Sequence, residues 1–509
     1  MIKKYALLIF IILLKFIIQL QLVHPVYDLQ RDEYLHLDQA RHLAAGYISV
    51  PPLNSWVAWL ILKLGGGEFW IRFFPALFGA LTIFIVWKAI EALKGNLFAL
   101  LLGSACVLFS ALLRLNILFQ PNSFDILAWT FFYYCIIRYT NGEQKKWLWF
   151  AAIGFAIGFL NKYNIIFQLI GLLPALVLTQ QRSVFTKKAL YGAIILAFLL
   201  MAPNLWWQYK NGFPVFAHMR ELTNTQLVYV SRGDFLKEQL LFFAGGLIVL
   251  LAGFISLFLY APFRKYIVLF YGFAFTMLLF IFLRAKAYYA IGIYPIFFAF
   301  GAVWLETLLQ NGWKKWVLRP LLLLLPLAFF ALMLKVAFPL LPPEEIVAKA
   351  NLQQKTGLHR WEDGKEHPIS QDFADMLGWK ELAAIVDSAY EKVNDPANTI
   401  VFCDNYGEAG AVNYYSKHKN INALSVNADY ATWFPENKKW QHCIRVKENA
   451  DVSKEIKYFD SVAIAGRIKE PYAREIGTTV YIMLNANDSI RAILQREITK
   501  AKNKYRQSN

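Results

Sequence analysis

Tyr5–Val23 reads YALLIFIILLKFIIQLQLV, a run whose single charge is Lys15. A helix crossing a hydrocarbon core of about 30 Å needs about 20 apolar residues, and this run is long enough. It has no small-residue cleavage site, and Lys15 interrupts it, so an uncleaved anchor is the better reading than a signal peptide. Working outward, similar runs recur at roughly Ile71–Leu93, Leu97–Leu115, Phe124–Tyr139, Trp147–Leu160, Ile165–Thr179, Ala189–Trp206, Leu240–Ala261, Ile267–Leu283, Ala287–Leu309 and Trp316–Phe338. The pattern predicts a polytopic α-helical membrane protein with about eleven transmembrane helices. Charged residues make up 17% of the 509-residue chain, against about 25% in soluble domains. Mean hydropathy is +0.38. Disorder, collagen, a coiled coil and a small disulfide scaffold are excluded.

The chain divides near Leu340. Residues 1–340 hold 29 Lys and Arg against 12 Asp and Glu, whereas residues 341–509 hold 23 of each. The basic excess of the whole protein therefore belongs to its apolar part. Nucleic acid binding would be one reading of that excess. Membrane topology is the better one, because the bases cluster between the spans. With Lys3 and Lys4 in the cytoplasm, the even-numbered spans return to Lys88/Lys94, Arg138/Lys145/Lys146, Arg182/Lys187/Lys188, Arg264/Lys265 and Lys314/Lys315. An odd number of spans places residues 341–509 outside the membrane, as a soluble α/β domain after a transmembrane domain of residues 1–340.

Two long loops face outside in this topology, His24–Trp70 and Trp207–Gln239. The first, taken as the extracytoplasmic loop 24–70, holds Asp28, Asp32, Glu33, Asp38 and Glu68, five of the twelve acids of the apolar part. It reads as an amphipathic helix over Asp32–Ala45, then Gly46, Pro51-Pro52 and a second helix through Leu64. In the outer region, Gln371–Val393 has helical spacing, and Thr399–Cys403, Ser461–Ala465 and Thr478–Leu484 read as strands. Asn405–Gly410 opens another helix, and the basic tail after Ala486 is expected to fray. Cys403 and Cys443 both lie outside; a disulfide and two buried free thiols are equal readings. No CxxC, P-loop or HExxH occurs.

Asp32-Glu33 carries the sharpest chemical signal. Acids at a helix start are stabilised by the helix dipole, which is the bland explanation. The functional one is a general base at the membrane surface. His36, one turn on, makes a divalent cation on Asp32 and His36 a weaker third reading, so no metal ligand is assigned.

The run Asp32–Tyr47 (DEYLHLDQARHLAAGY), Pro51-Pro52-Leu53 and Arg72–Gly79 (RFFPALFG) resembles the first extracytoplasmic loop of bacterial family 39 glycosyltransferases. Those enzymes are similar to protein O-mannosyltransferases and lipid A aminoarabinose transferases of GT-C fold. The resemblance continues through Phe119–Asp125 (FQPNSFD), Gly158–Tyr163 (GFLNKY), Arg284–Pro295 (RAKAYYAIGIYP), Phe373–Trp379 (FADMLGW) and Asn405–Ala411 (NYGEAGA). It implies a sugar moved from a polyprenyl phosphate to an acceptor protein, lipid or glycan on the outer face of a bacterial inner membrane. The phosphate leaves as a stable anion, so the chemistry needs a base for the acceptor hydroxyl rather than a strong acid. The resemblance assigns that base to Asp32, with Glu33 orienting it or the sugar.

Arg72, Lys162 and Lys286 sit at outer span ends and are expected to clamp the lipid phosphate, the alternative being snorkelling. Tyr163, Tyr288 and Tyr289 are expected to bind donor phosphate or sugar, or to belong to an aromatic belt. Many relatives carry an acid where this chain has Asn122; Asp125, one turn on, is the candidate for that second carboxylate. The rival class is a transporter or lipid flippase with an outer ligand-binding domain. It is disfavoured because the acids lie in a loop and no inverted repeat is visible.

Overall fold

The computed structural model describes residues 2–142, 144–349, 359–435 and 440–506. They form two compact units. A helical unit comprises Met1–Val23, Phe69–Leu205 and Gln226–Leu340; a sheet unit comprises His24–Glu68, Trp206–Thr225 and Leu341–Asn509. The acid-rich first loop thus belongs to the same unit as the chain beyond Leu340.

Each of the eleven apolar runs carries helix. Among the described residues, Glu68–Ala92, Lys188–Lys210, Ala261–Phe282 and Gly312–Leu334 are long and apolar enough to cross a membrane singly. Three bent pairs raise the number to seven if each pair is one span, for example Arg232–Leu241 with Ala244–Leu259, bent by 64°. The remaining runs fall short on length or composition: Leu97–Leu108 and Lys146–Asn161 are shorter helices. Large apolar side chains face outward, among them Leu199, Phe282, Leu324 and Leu332, which water would penalise and lipid would not. Inside the unit, Pro121–Thr140 packs on Lys146–Asn161, and Ile165–Leu178 packs on Ile267–Phe282.

The sheet unit has five strands in the order β2-β1-β3-β5-β4. They are β1 (Thr399–Cys403), β2 (Ala423–Ser425), β3 (His442–Lys447), β4 (Phe459–Arg467) and β5 (Thr479–Ala486). β1 runs parallel to β2 and β3, while β5 is antiparallel to β3 and β4. Cys403 lies opposite Val446 and Cys443 opposite Ile400. The two cysteines are separate buried thiols.

Three expectations need correction here. The helix read over Asp32–Ala45 ends at Gln39. The helix read over Gln371–Val393 is broken into Gln371–Ala374 and Trp379–Glu391. Gly378 at φ +82 starts the second piece in the left-handed region open to glycine. The tail after Ala486 does not fray: Asp488–Arg506 is a helix. Its Leu494 and Ile498, one turn apart, enter the core formed by Ile400, Phe402, Trp440, Tyr481 and Met483. Burying such a side chain contributes about 1.5–3 kcal/mol, enough to hold a helix whose other faces are charged.

Candidate active site

In the sheet unit the helix Arg31–Gln39 starts with a capping box. The Gln30 side chain accepts from Asp32 N–H at 2.9 Å, and the Glu33 carboxylate accepts from Gln30 N–H at 2.7 Å. Glu33, fully buried, is therefore engaged at the helix start, which leaves Asp32, half-buried, as the more accessible carboxylate. Tyr406 donates its phenol hydrogen to Asp32 Oδ1 at 2.7 Å.

The two motifs beyond residue 370 hold this helix start. From the first, the carbonyls of Met376 and Asp375 accept from Asp28 and Arg31 N–H at 2.7 and 3.1 Å. In return Asp28 accepts from the backbone of Trp379 and Lys380 at 3.0 and 3.1 Å. Asp375 is buried and meets Arg474 at 3.1 Å. Burial pushes its carboxyl up to about 7 against the pull of Arg474 and Arg31.

From the second motif, Asn405 caps the helix Tyr406–Tyr415, with Glu408 completing a second capping box. A Cβ on Gly410 would lie 2.6 Å from Tyr34 Cβ, so glycine there lets the Arg31–Gln39 and Tyr406–Tyr415 helices approach. Further along the first helix, Asp38 accepts from Tyr430 at 2.5 Å and Asn413 at 2.7 Å, and Gln39 donates to Asp429 at 2.8 Å.

His36 is buried, with Nδ1 3.0 Å from Gln39 Oε1; burial lowers its proton affinity. Among the described residues, the group of three carboxylates close enough to share a cation is Glu408, Glu448 and Glu475, within 4.8 Å of one another. Its setting fits a cation poorly. Asn405 points its amide hydrogens at Glu448 (2.6 Å) and Glu475 (3.3 Å), and Arg31 Nε stands 4.0 Å from Glu475. Burial, followed by the Glu475 charge, holds Glu408 well above the carboxylate range.

The predicted cations and tyrosines all lie in the helical unit. Lys162, at the end of Lys146–Asn161, donates to Asn122 Oδ1 at 2.8 Å. Its ammonium stands 5.1 Å from the Tyr288 ring centroid and 4.6 Å from that of Tyr289. The amide at 122 is thus a lysine acceptor, in place of the acid expected from the resemblance. Asp125 is buried, accepting from Trp129 and from Asn164, each at 3.0 Å. Asn164 also donates to the Tyr289 carbonyl at 2.8 Å, tying Pro121–Thr140 to the Tyr288-Tyr289 turn. Asp125 and Lys286 both act electrostatically on Lys162, the first attracting and the second repelling. Lys286 donates to Gln226 at 2.7 Å.

The Tyr163 hydroxyl donates to Asn204 at 3.0 Å, and Arg72 donates to the Ile117 carbonyl at 2.5 Å. Sequence reasoning missed Asn164 and Tyr406 as parts of the site. Both lie inside quoted motifs or beside them, but their partners are 39 and 374 residues away.

Comparison with known proteins bears on the whole arrangement. Superposition on ArnT from Cupriavidus metallidurans, solved bound to undecaprenyl phosphate, gives a TM-score of 0.63 over 94% of this chain and 97% of that one, at 12% identity. The chain has the GT-C fold. The archaeal oligosaccharyltransferase AglB from Archaeoglobus fulgidus, in complex with an inhibitory peptide and a dolichol-phosphate, aligns with a TM-score of 0.50 over 96% of this chain and 75% of that one, at 10% identity. In sequence, residues 49–207 match the family model described as dolichyl-phosphate-mannose-protein mannosyltransferase. The lipid A galacturonosyltransferase RgtD of Rhizobium johnstonii is 24% identical over 198 residues, 38% of this chain. That match spans 41% of the relative's length. The resemblance read from the motifs is borne out in these matches.

Proposed function

We propose that this GT-C protein is an inverting glycosyltransferase. It moves a sugar from a polyprenyl-phosphate donor to an acceptor on the outer face of the inner membrane, with residues 341–509 on that face. The observation that carries the reading is Asp32: a half-buried carboxylate held by a neutral phenol, on the loop that the family resemblance singles out. RgtD acts on lipid A, and ArnT was solved with undecaprenyl phosphate, which supports a polyprenyl carrier and a lipid A-like acceptor.

Asp32 takes the acceptor's hydroxyl proton as the oxygen forms its bond to the anomeric carbon. The bond from that carbon to the phosphate oxygen breaks on the opposite face, and the polyprenyl phosphate leaves with the electron pair. The leaving oxygen is already an anion's, so no acid is assigned. Lys162, Lys286 and Arg72 bind the phosphate through charge-assisted hydrogen bonds. Tyr163, Tyr288 and Tyr289 serve the donor, the Tyr288-Tyr289 turn being held by Asn164 and Asp125. In this scheme Asp125 orients Asn164 and balances Lys162.

The test is transfer by the purified protein from a panel of labelled polyprenyl-phosphate sugars, including mannose, galacturonic acid and aminoarabinose, to lipid A. Transfer with inversion at the anomeric carbon is expected; a panel without any transfer overturns the reading. Reporter fusions at Asn311 and after Asn509 are expected to report opposite sides of the membrane, and a cytoplasmic C-terminus would overturn the topology.

A further inference from the structure

We propose that Tyr406 is a positioning residue for Asp32, and that the Asn405–Gly407 helix start exists to hold its phenol. The proposal rests on the reading of Asp32 as the base. Tyr406 Oη donates to Asp32 Oδ1 at 2.7 Å. Separate contacts then fix the phenol itself. The Arg31 guanidinium carbon stands 4.6 Å from the Tyr406 ring centroid. At position 407 a Cβ would lie 2.6 Å from Arg31 Cγ and 2.9 Å from its Nε, so only glycine lets Arg31 lie there. Asn405 sets the direction of the helix start, accepting from Glu408 N–H at 3.0 Å.

The charged and titratable groups facing Asp32 come from its own helix and from two others. Arg31 and His36 share its helix, Asp375 stands in the turn before Trp379, and Tyr406 comes from the helix beyond β1. Of these Tyr406 is a neutral donor with a hydrogen bond to the carboxylate. A neutral donor orients a base and favours its ionised form without cancelling its charge. A bonded cation would lower its proton affinity further.

The experiment is the pH dependence of transfer for the wild type, Tyr406→Phe, Asp32→Asn and the double variant. Phenylalanine keeps the ring under Arg31 and removes the hydrogen bond. Expected for Tyr406→Phe are a kcat lower by roughly tenfold, an unchanged donor KM, and an acid limb of kcat moved up by about one pH unit. In the Asp32→Asn background the same substitution should have no further effect. Difluorotyrosine at 406, the same shape and a stronger donor, should move the limb down and guards against a folding defect in the phenylalanine variant.

An acid limb unmoved by both changes, with Asp32→Asn inactive, overturns the positioning role alone. Additive losses in the double variant do the same. Wild-type transfer by Asp32→Asn overturns the reading of the base and the proposal with it.

Discussion

The two units solve opposite electrostatic problems with the same device. In the helical unit the cations Lys162, Lys286 and Arg72 donate to the neutral oxygens of Asn122, Gln226 and the Ile117 backbone. In the sheet unit Asp32 and Asp429 accept from Tyr406 and Gln39, whereas Asp38, bonded to Tyr430 and Asn413, also pairs with Arg41 at 3.2 Å. A neutral partner holds a charged group in place and leaves its charge for a ligand, whereas an ion pair would consume it. In the proposed reaction the helical unit would meet the anion and the sheet unit would take up the proton. Arginine–carboxylate pairs do occur in the sheet unit, at Asp375–Arg474 for example, where the pair braces the turn behind the site.

The comparison breaks most sharply at Asp32. Asp32→Asn keeps the size of the side chain but cannot accept a proton, and turnover is expected to fall by about 10²–10⁴-fold with donor binding retained. If the carboxylate only serves the helix dipole, the cost is about 0.3–1 kcal/mol of stability and the rate stays unchanged.

Next comes the anion side. Lys162→Ala and Lys286→Ala each remove a charge-assisted contact worth about 1.5–3 kcal/mol, so donor KM should rise roughly 10- to 100-fold. Equal donor affinity in both variants would reduce the cluster to snorkelling side chains.

Packing comes third. Gly410→Ala places a methyl 2.6 Å from Tyr34 Cβ and 2.8 Å from Tyr430 Oη. Overpacking of this kind costs about 1–3 kcal/mol, to be read as a lower melting temperature of the sheet unit. An unchanged melting temperature would show that the two helices are free to separate.

The smallest effect sharpens the comparison through pH. Asp429 is buried, held by Ile48 N–H and Gln39, and burial pushes it up to about 6. The folded protein therefore keeps a proton that the unfolded chain releases above about pH 4. The contribution of Asp429 to stability should decline as pH rises from about 4 to about 6, by about 1 kcal/mol per pH unit, and level off above. Asp429→Asn should flatten that part of the curve; an identical slope in the variant would mean that another group sets it.

The amino-acid sequence by itself determined the membrane class, the helical runs, the acid-rich loop and the lysines and tyrosines of the helical unit. These are local properties: hydropathy over about 20 residues, charge between runs, and short motifs whose residue types announce their chemistry. It also placed β1, β4 and β5 within a few residues. β2, three residues long, and β3, with Arg445 in its middle, went unread because pairing rather than pattern makes them strands.

Only the tertiary structure decided what the acids touch. Nothing near Asp32 in sequence says that Tyr406 holds it, or that Gly407 and Gly410 are spaces for Arg31 and Tyr34. The tail helix makes the same point: its composition is that of a solvated segment, and Leu494 and Ile498 order it because a core is there to receive them. Hydrogen bonds and close approaches between residues hundreds of positions apart depend on where two helices cross, and the crossing is a property of the packed chain rather than of any stretch of it.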